Sequence, residues 1–203
     1  MSHYFDSNPN VAHHEKVISF KLFDKQIELI TDSGVFSKNR IDEGTLAFLK
    51  VLVPLKLSGN ILDIGCGYGP IGLSIAMTSP SARVTLADVN SRALLLASRN
   101  AEKLNLSNRV TCLQSDVYEN LEGPYDAIVC NPPIRAGKKV TYSIYEGAKQ
   151  HLSNGGSLYI VIRRAQGAES ASKYIETVFG NVSLLSRNKG YYIYQAINRA
   201  TEN

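Results

Sequence analysis

Ile61-Leu62-Asp63-Ile64-Gly65-Cys66-Gly67-Tyr68-Gly69-Pro70-Ile71-Gly72 is the stretch that decides the fold. Residues 61–64 form a short apolar run that reads as a buried strand, and Gly65 ends it. Residues 71–77 then read as a helix. Glycines in such a turn tolerate positive φ and let a ligand lie against bare backbone, while the next helix offers free N–H groups at its start. The pattern also reads as a dinucleotide fingerprint, G-x-G-x-x-G, over Gly67, Gly69 and Gly72. Two features argue against that reading. The strand stops before Gly65, two residues too early, and Asp63 puts a carboxylate in the site, which repels a pyrophosphate and favours a cationic ligand.

Outward from that turn, strand and helix alternate. Residues 84–87 form a second strand ending at Asp88, and Ser91 is the expected N-cap of a helix with Leu94, Ala97, Ala101 and Leu104 at helical spacing. Residues 110–113 and 127–130 are the third and fourth strands, the former ending near Asp116. A helix around 142–151 leads through Asn154-Gly155-Gly156 to a fifth strand, 158–162, and a further helix spans 168–179. Residues 182–185 and 191–196 are strands whose short link excludes a parallel crossover, so they form an antiparallel hairpin. The expected fold is α/β: a doubly wound, mostly parallel seven-stranded sheet with one reversed C-terminal strand. Upstream, 17–23 and 26–30 read as a hairpin, 34–36 as another short strand, and Asp42 as the cap of a helix running to about Leu55. Residues 1–45 therefore read as a β-rich appendage and 46–203 as the main domain, because about 45 residues make a poor independent core.

With 203 residues, 44% hydrophobic and 20% charged, the chain has enough apolar content for one substantial core. Its polar first residues carry no secretory signal, and no apolar run approaches the ~20 residues of a membrane span. Cys66, Cys112 and Cys130 are scattered and odd in number, which disfavours disulfides or zinc and suits a cytoplasmic protein. His13-His14 beside Glu15 lacks a matching partner cluster, so no metal is expected. The net charge of +4 is compatible with a nucleic-acid partner without requiring one. Nothing in the sequence speaks to oligomeric state.

Chemistry-bearing residues fall at strand ends. Asp88 after the second strand suits the two hydroxyls of a ribose, and Asp116 after the third suits an adenine amine. After the fourth strand comes Asn131-Pro132-Pro133-Ile134. Neither proline can donate to a ladder, so the chain turns, leaving the Asn amide and two carbonyls as rigid hydrogen-bonding groups at a ligand site. Asp63-x-Gly65-x-Gly67-x-Gly69, Asp88, Asp116 and Asn131-Pro132-Pro133, in that order on those elements, resemble the class I S-adenosylmethionine-dependent methyltransferases over residues 60–197. The resemblance implies a Rossmann-like domain in which Gly65 and Gly67 pack under the methionine part of the cofactor. It implies also that Asp63 sits near the methionine amino group, Asp88 binds ribose, and Asp116 with Val117 meets adenine.

By the same resemblance, Asn-Pro-Pro-x marks methyl transfer to the nitrogen of a planar group. The Asn131 side-chain oxygen and the Pro132 carbonyl would hold its N–H donors and aim its lone pair, which is positional catalysis without a strong base. His151 reads as a helix-end residue rather than such a base. Ile134 stands where adenine and glutamine methyltransferases usually carry an aromatic. Together with Arg135-Ala-Gly137, Gly34-Val-Phe-Ser37 and Asp42-x-Gly44, it resembles the ribosomal RNA small-subunit methyltransferase C group, guanine-N2 enzymes often built from two related domains. The implied cofactor is S-adenosyl-L-methionine and the implied partner is ribosomal RNA or the small subunit. Lys38 and Arg40, Arg135 with Lys138 and Lys139, Arg163-Arg164, and Arg187 with Lys189 suit a phosphate backbone; the last three groups are expected on the edge of the sheet that holds the pocket. Phe36 reads equally as a stacking residue and as a core residue. The alternatives are methylation of protein glutamine or of adenine, an NAD-dependent oxidoreductase, and a non-catalytic RNA-binding module.

Overall fold

The computed structural model describes residues 12–199. The polar opening residues 1–8, read above as lacking a secretory signal, lie outside the described residues. Nine strands are described: β1 (Lys16–Leu22), β2 (Lys25–Thr31), β3 (Gly59–Ile64), β4 (Ala82–Asp88), β5 (Val110–Gln114), β6 (Tyr125–Cys130), β7 (Leu152–Arg163), β8 (Ser183–Asn188) and β9 (Tyr191–Ile197). The helices are α1 (Glu43–Leu52), α2 (Pro70–Thr78), α3 (Ser91–Lys103), α4 (Lys138–His151) and α5 (Ala168–Phe179).

The main sheet has seven strands in the order β5-β4-β3-β6-β7-β9-β8, and only β9 runs against its neighbours. This is the doubly wound, mostly parallel arrangement expected, with its order reversing between β3 and β6. Period-two alternation splits the core. Ile61, Val84, Leu86, Val129 and Val161 face α1, α2 and α3, whereas Leu62, Ile64, Ile128 and Ile160 face α4 and α5. Both faces are buried, as crossover helices require. Gly72 lets α2 lie close on the sheet: a Cβ there would stand 2.3 Å from Leu86 Cδ2.

β1 and β2 pair antiparallel as a separate two-stranded sheet. Their inward residues Ile18, Phe20, Leu22, Ile27 and Leu29 join the core on the α1–α3 side. The buried side chain of Asn100 on α3 fastens this hairpin. Its Oδ1 accepts the Ile30 N–H at 2.7 Å, and its Nδ2 donates to the carbonyls of Ile30 and Tyr68 at 2.9 and 3.0 Å. The end of β2 and the glycine turn are therefore tied to one side chain.

Several local expectations are corrected. Residues 34–36 are turns, not a strand, because Gly34 and Ser37 take positive φ of 81° and 59°. The N-cap of α3 is Asn90, whose side chain accepts from Ala93 N at 3.1 Å, not Ser91. α1 stops at Leu52 and passes into a 3-10 turn over Val53–Leu55. α4 begins at Lys138, earlier than expected, and β7 runs on through Asn154-Gly155-Gly156. The cysteines are free. Among the described residues no helix is long and apolar enough to cross a membrane, and no three His, Cys, Asp or Glu side chains gather to hold a metal. His13 instead pairs its Nδ1 with buried Asp32 at 2.6 Å.

Candidate active site

A cavity of about 800 Å³ opens at the carboxyl ends of β3 through β7, the expected place for a ligand in an open α/β sheet. The glycine turn forms its floor. The N–H groups of Gly65 and Cys66 both donate to the Ala87 carbonyl, at 2.8 and 3.0 Å, so the turn hangs on β4. Gly65 and Gly67 have φ of 70° and 57°, and an added Cβ on either would meet nothing within 4 Å. Both line the cavity and leave a strip of bare backbone. Gly69, also at positive φ, lies outside the lining; there a Cβ would press on Leu73 at 2.8 Å, so this glycine serves the entry into α2.

Asp88 lines the cavity beside that strip. Its two oxygens accept the N–H groups of Gly67 and Asn90 at 2.8 and 2.9 Å, and a carboxylate retains further acceptor capacity. Burial raises its pKa, opposed by those backbone bonds. Asp116 and Val117 also line the cavity; Val117 sits at φ 50°, rare for a β-branched residue. Asp63 does not line it. Its side chain is buried beneath the turn, Oδ2 accepts the Gly72 N–H at 2.8 Å, and Oδ1 has no partner. Burial first, and the nearby Asp88 charge second, push its pKa up to about 7.

Across the cavity, Asn131, Pro132, Pro133 and Ile134 all contribute to the wall. The turn is rigid: the Pro132 carbonyl accepts from Ile134 N at 2.9 Å, and the Pro133 carbonyl from Ala136 N at 2.9 Å. The Asn131 amide nitrogen donates to Asp42 Oδ2 at 3.3 Å and to Thr45 Oγ1 at 3.1 Å. Its oxygen is thereby turned from α1, and a second lone pair remains on the Pro132 carbonyl. Phe36 lines the cavity and is 41% exposed, which decides against a core role.

Of the basic groups, Arg135 and Arg163 line this cavity, and Arg163, Arg164 and Lys189 line a shallower one alongside. Arg187 lies over the Tyr192 ring at 5.1 Å. Lys38 and Arg40, which were not grouped with this edge, reach the main cavity too. His151 stacks on Tyr118 at 4.4 Å at the end of α4. Sequence reasoning missed Thr45, Tyr68 and Tyr191 as wall residues and gave Asp42 a part only as a cap and in the Asp42-x-Gly44 resemblance, not as a wall residue. The cap spacing from Asp42 to Thr45 was the one available signal.

The cavity thus places a backbone cradle and carboxylates opposite a rigid set of hydrogen-bond acceptors. The model of the "methyltransferase small domain" family matches residues 26–195. YbxB of Bacillus subtilis, an uncharacterized protein, is 42% identical over 196 residues, covering 96% of this chain and 97% of that one. The ribosomal RNA small subunit methyltransferase C of Mannheimia succiniciproducens is 36% identical over 84% of this chain and 51% of its own length. The structure of a T. thermophilus 16S rRNA N2 methyltransferase, RsmC, in complex with AdoMet and guanosine, superposes with a TM-score of 0.83 at 25% identity. It covers 94% of this chain and 52% of that one. The chain therefore spans about half the length of these two methyltransferase relatives.

Proposed function

The chain belongs to the methyltransferase small domain family, and on that premise we propose that it transfers a methyl group from S-adenosyl-L-methionine to the N2 amine of a guanine in small-subunit ribosomal RNA. The observation that carries this reading is the Asn131 amide, fixed with its nitrogen toward α1, in the same cavity as the Gly65–Gly67 strip. The residues present fit the cofactor. Gly65 and Gly67 leave open space where a Cβ would stand, and the orphan Oδ1 of Asp63 lies beneath it, in a carboxyl group whose ionised form a cationic ligand favours. S-adenosyl-L-methionine supplies an electrophilic sulfonium-bound methyl group.

In this reading Gly65 and Gly67 hold the methionine part, with Asp63 beneath and Gly69 shaping the turn. Asp88 takes the ribose hydroxyls, and Asp116 and Val117 border the adenine. Asn131 Oδ1 and the Pro132 carbonyl accept the N–H groups of the substrate amine, which localises its lone pair and holds it in line for displacement. Pro133 locks the turn, and Ile134 covers a face of the base. Lys38, Arg40, Arg135 and Arg163 line the same cavity and suit the phosphates of an RNA substrate. A guanine inside a helix would have to leave its stack to enter. The segment before residue 46 acts here as an appendage that lends Phe36, Lys38 and Arg40 to the domain of residues 46–203. A ribosomal substrate makes the cytoplasm its compartment.

The test is labelled-methyl transfer onto small ribosomal subunits from cells lacking guanine-N2 methylation, with a release factor and duplex DNA as competitors. Label on guanine N2 is the expected result. Label on glutamine or adenine replaces the substrate, and binding of NADH in place of S-adenosylmethionine removes the reading. The cradle is tested separately by Gly67→Ala. An L side chain at φ 57° is strained, and its Cβ enters the open strip. Calorimetry should show S-adenosylmethionine affinity weakened by about tenfold or more (about 1.4 kcal/mol) because the Cβ occupies the strip, while the ~1–2 kcal/mol of left-handed strain lowers stability with or without cofactor.

A further inference from the structure

We propose that Asp42 and Thr45 are positioning residues for methyl transfer: they hold the Asn131 amide in the one orientation that offers oxygen, not nitrogen, to the substrate. The inference rests on the role of Asn131 given above.

A primary amide is nearly symmetric in shape and opposite in chemistry at its two ends, with an acceptor oxygen at one and two N–H donors at the other. An incoming amine presents donors. If the amide turned over, donors would face donors, and the substrate nitrogen would lose the group that aims its lone pair. Nothing in the Asn-Pro-Pro turn itself prevents this, because the rigid backbone fixes where the amide stands and not which way it faces.

The first turn of α1 does. Asp42 Oδ2 lies 3.3 Å and Thr45 Oγ1 lies 3.1 Å from Asn131 Nδ2. An ionised carboxylate only accepts, so a reversed amide would set oxygen against oxygen. Asp42 is itself held in place. The same Oδ2 accepts the Thr45 N–H at 2.9 Å as the N-cap of α1. Gly44 packs so closely that a Cβ would stand 2.6 Å from Tyr191 Cε1 and 2.9 Å from Asp42 Oδ2. Thr45 is buried. The arrangement crosses from the first helix to the end of β6, so its purpose is not explained by capping, which needs only the contact to Thr45 N.

Ser is as good an N-cap as Asp, but its shorter side chain also donates. Asp42→Ser therefore keeps the cap and removes the enforced acceptor, while Thr45→Val removes the second partner, a hydroxyl that accepts from Asn131 Nδ2 here and can also donate. Turnover on undermethylated small subunits, affinity for S-adenosylmethionine, thermal stability and the side-chain amide resonances of Asn131 should be measured for both variants, for the double variant, for Asp42→Asn and for Asn131→Ala. The double variant should lose about 10- to 100-fold in kcat, the cost of a misplaced reacting group. Its cofactor affinity and RNA KM should stay within about twofold, and the Asn131 amide resonances should shift. Asp42→Asn should keep at least about a third of turnover, because its own carbonyl oxygen replaces the acceptor.

Wild-type kcat in the double variant overturns the proposal. So does an Asp42→Asn variant as slow as the double, which would assign the effect to charge, and so does a loss of kcat matched by loss of stability and cofactor binding. If the double variant does not fold, each single variant should still lower kcat severalfold and move the Asn131 resonances; singles indistinguishable from wild type overturn it equally. Asn131→Ala separates the two levels. If that variant turns over normally, the role of Asn131 falls and takes the proposal with it, whereas a dead Asn131→Ala beside an active double variant removes the positioning role alone.

Discussion

Asn131→Ala should lower methyl transfer by about 10²–10³-fold while leaving the affinity for S-adenosylmethionine within about twofold, the scale seen when one preorganised polar group is removed from a reacting centre. The argument starts from the nucleophile. The exocyclic nitrogen of a guanine has its lone pair drawn into the ring, so it attacks poorly unless its two N–H bonds are held. In this cavity Asn131 Oδ1 and the second lone pair of the Pro132 carbonyl, whose first is taken by Ile134 N, stand side by side on the rigid turn to accept them. Alanine removes the side-chain acceptor and keeps the Pro-Pro turn that shapes the backbone. Stability should fall by only about 1 kcal/mol, because the amide bonds lost are part-exposed and Asp42 retains its bond to Thr45 N. Single-turnover rates at saturating cofactor are the measurement. A variant within about threefold of wild type would remove positional catalysis by this peptide and leave the cavity without a mechanism.

The parts of this site that were legible in the sequence are those whose geometry is local. A strand ending at Gly65 and another ending in Asn-Pro-Pro carry their own stop signals, and the parallel order then brings both to one edge of the sheet. Where adjacent residues carry equal signals, the reading slips by one position, as with Asn90 and Ser91, both good caps. Gly155-Gly156 reads as loop, yet β7 passes through it, tied there by the bonds of Gly155 N to Asn198 O and of Asn198 N to Gly156 O. Asp63 shows a different limit. The sequence reading puts its carboxylate in the site, but alternation along β3 places it with Ile61 on the α2 side, beneath the turn and out of the cavity lining, where Gly72 N takes one oxygen. The contact between Asp42 and Asn131 joins residues 89 positions apart, and no local pattern encodes it.

That buried carboxylate leads to the second large effect: Asp63→Asn should stabilise the protein at pH 8 by several kcal/mol, and barely change it near pH 4. In the unfolded chain the Asp63 pKa is near 3.8, and folding raises it to about 7 because burial penalises the charged form. Below pH 4 both states carry the proton, and the neutral acid sits in the core without that penalty. As pH rises from 4 to 7 the unfolded chain releases the proton while the folded one retains it, so stability falls by up to ~1.4 kcal/mol per pH unit. Above pH 7 both states are ionised and the slope ends, after a total loss of about 4 kcal/mol from this group. Asn keeps the acceptor for Gly72 N and cannot ionise. At low pH it resembles the protonated acid, which already places a donor where Oδ1 has no partner. The difference between variant and wild type therefore isolates the ionisation cost, and at about 2–4 °C per kcal/mol it should appear as a Tm gain of roughly 10 °C at pH 8. The gain has an opposite price at the site. A cationic cofactor above the glycine turn favours the ionised carboxylate, so wild-type affinity for S-adenosylmethionine should strengthen from pH 6 to 8 and the variant should lose that dependence. Unfolding by urea across this pH range, with and without cofactor, measures both. A variant-minus-wild-type difference that is flat in pH would mean that Asp63 is not held near neutrality by its burial.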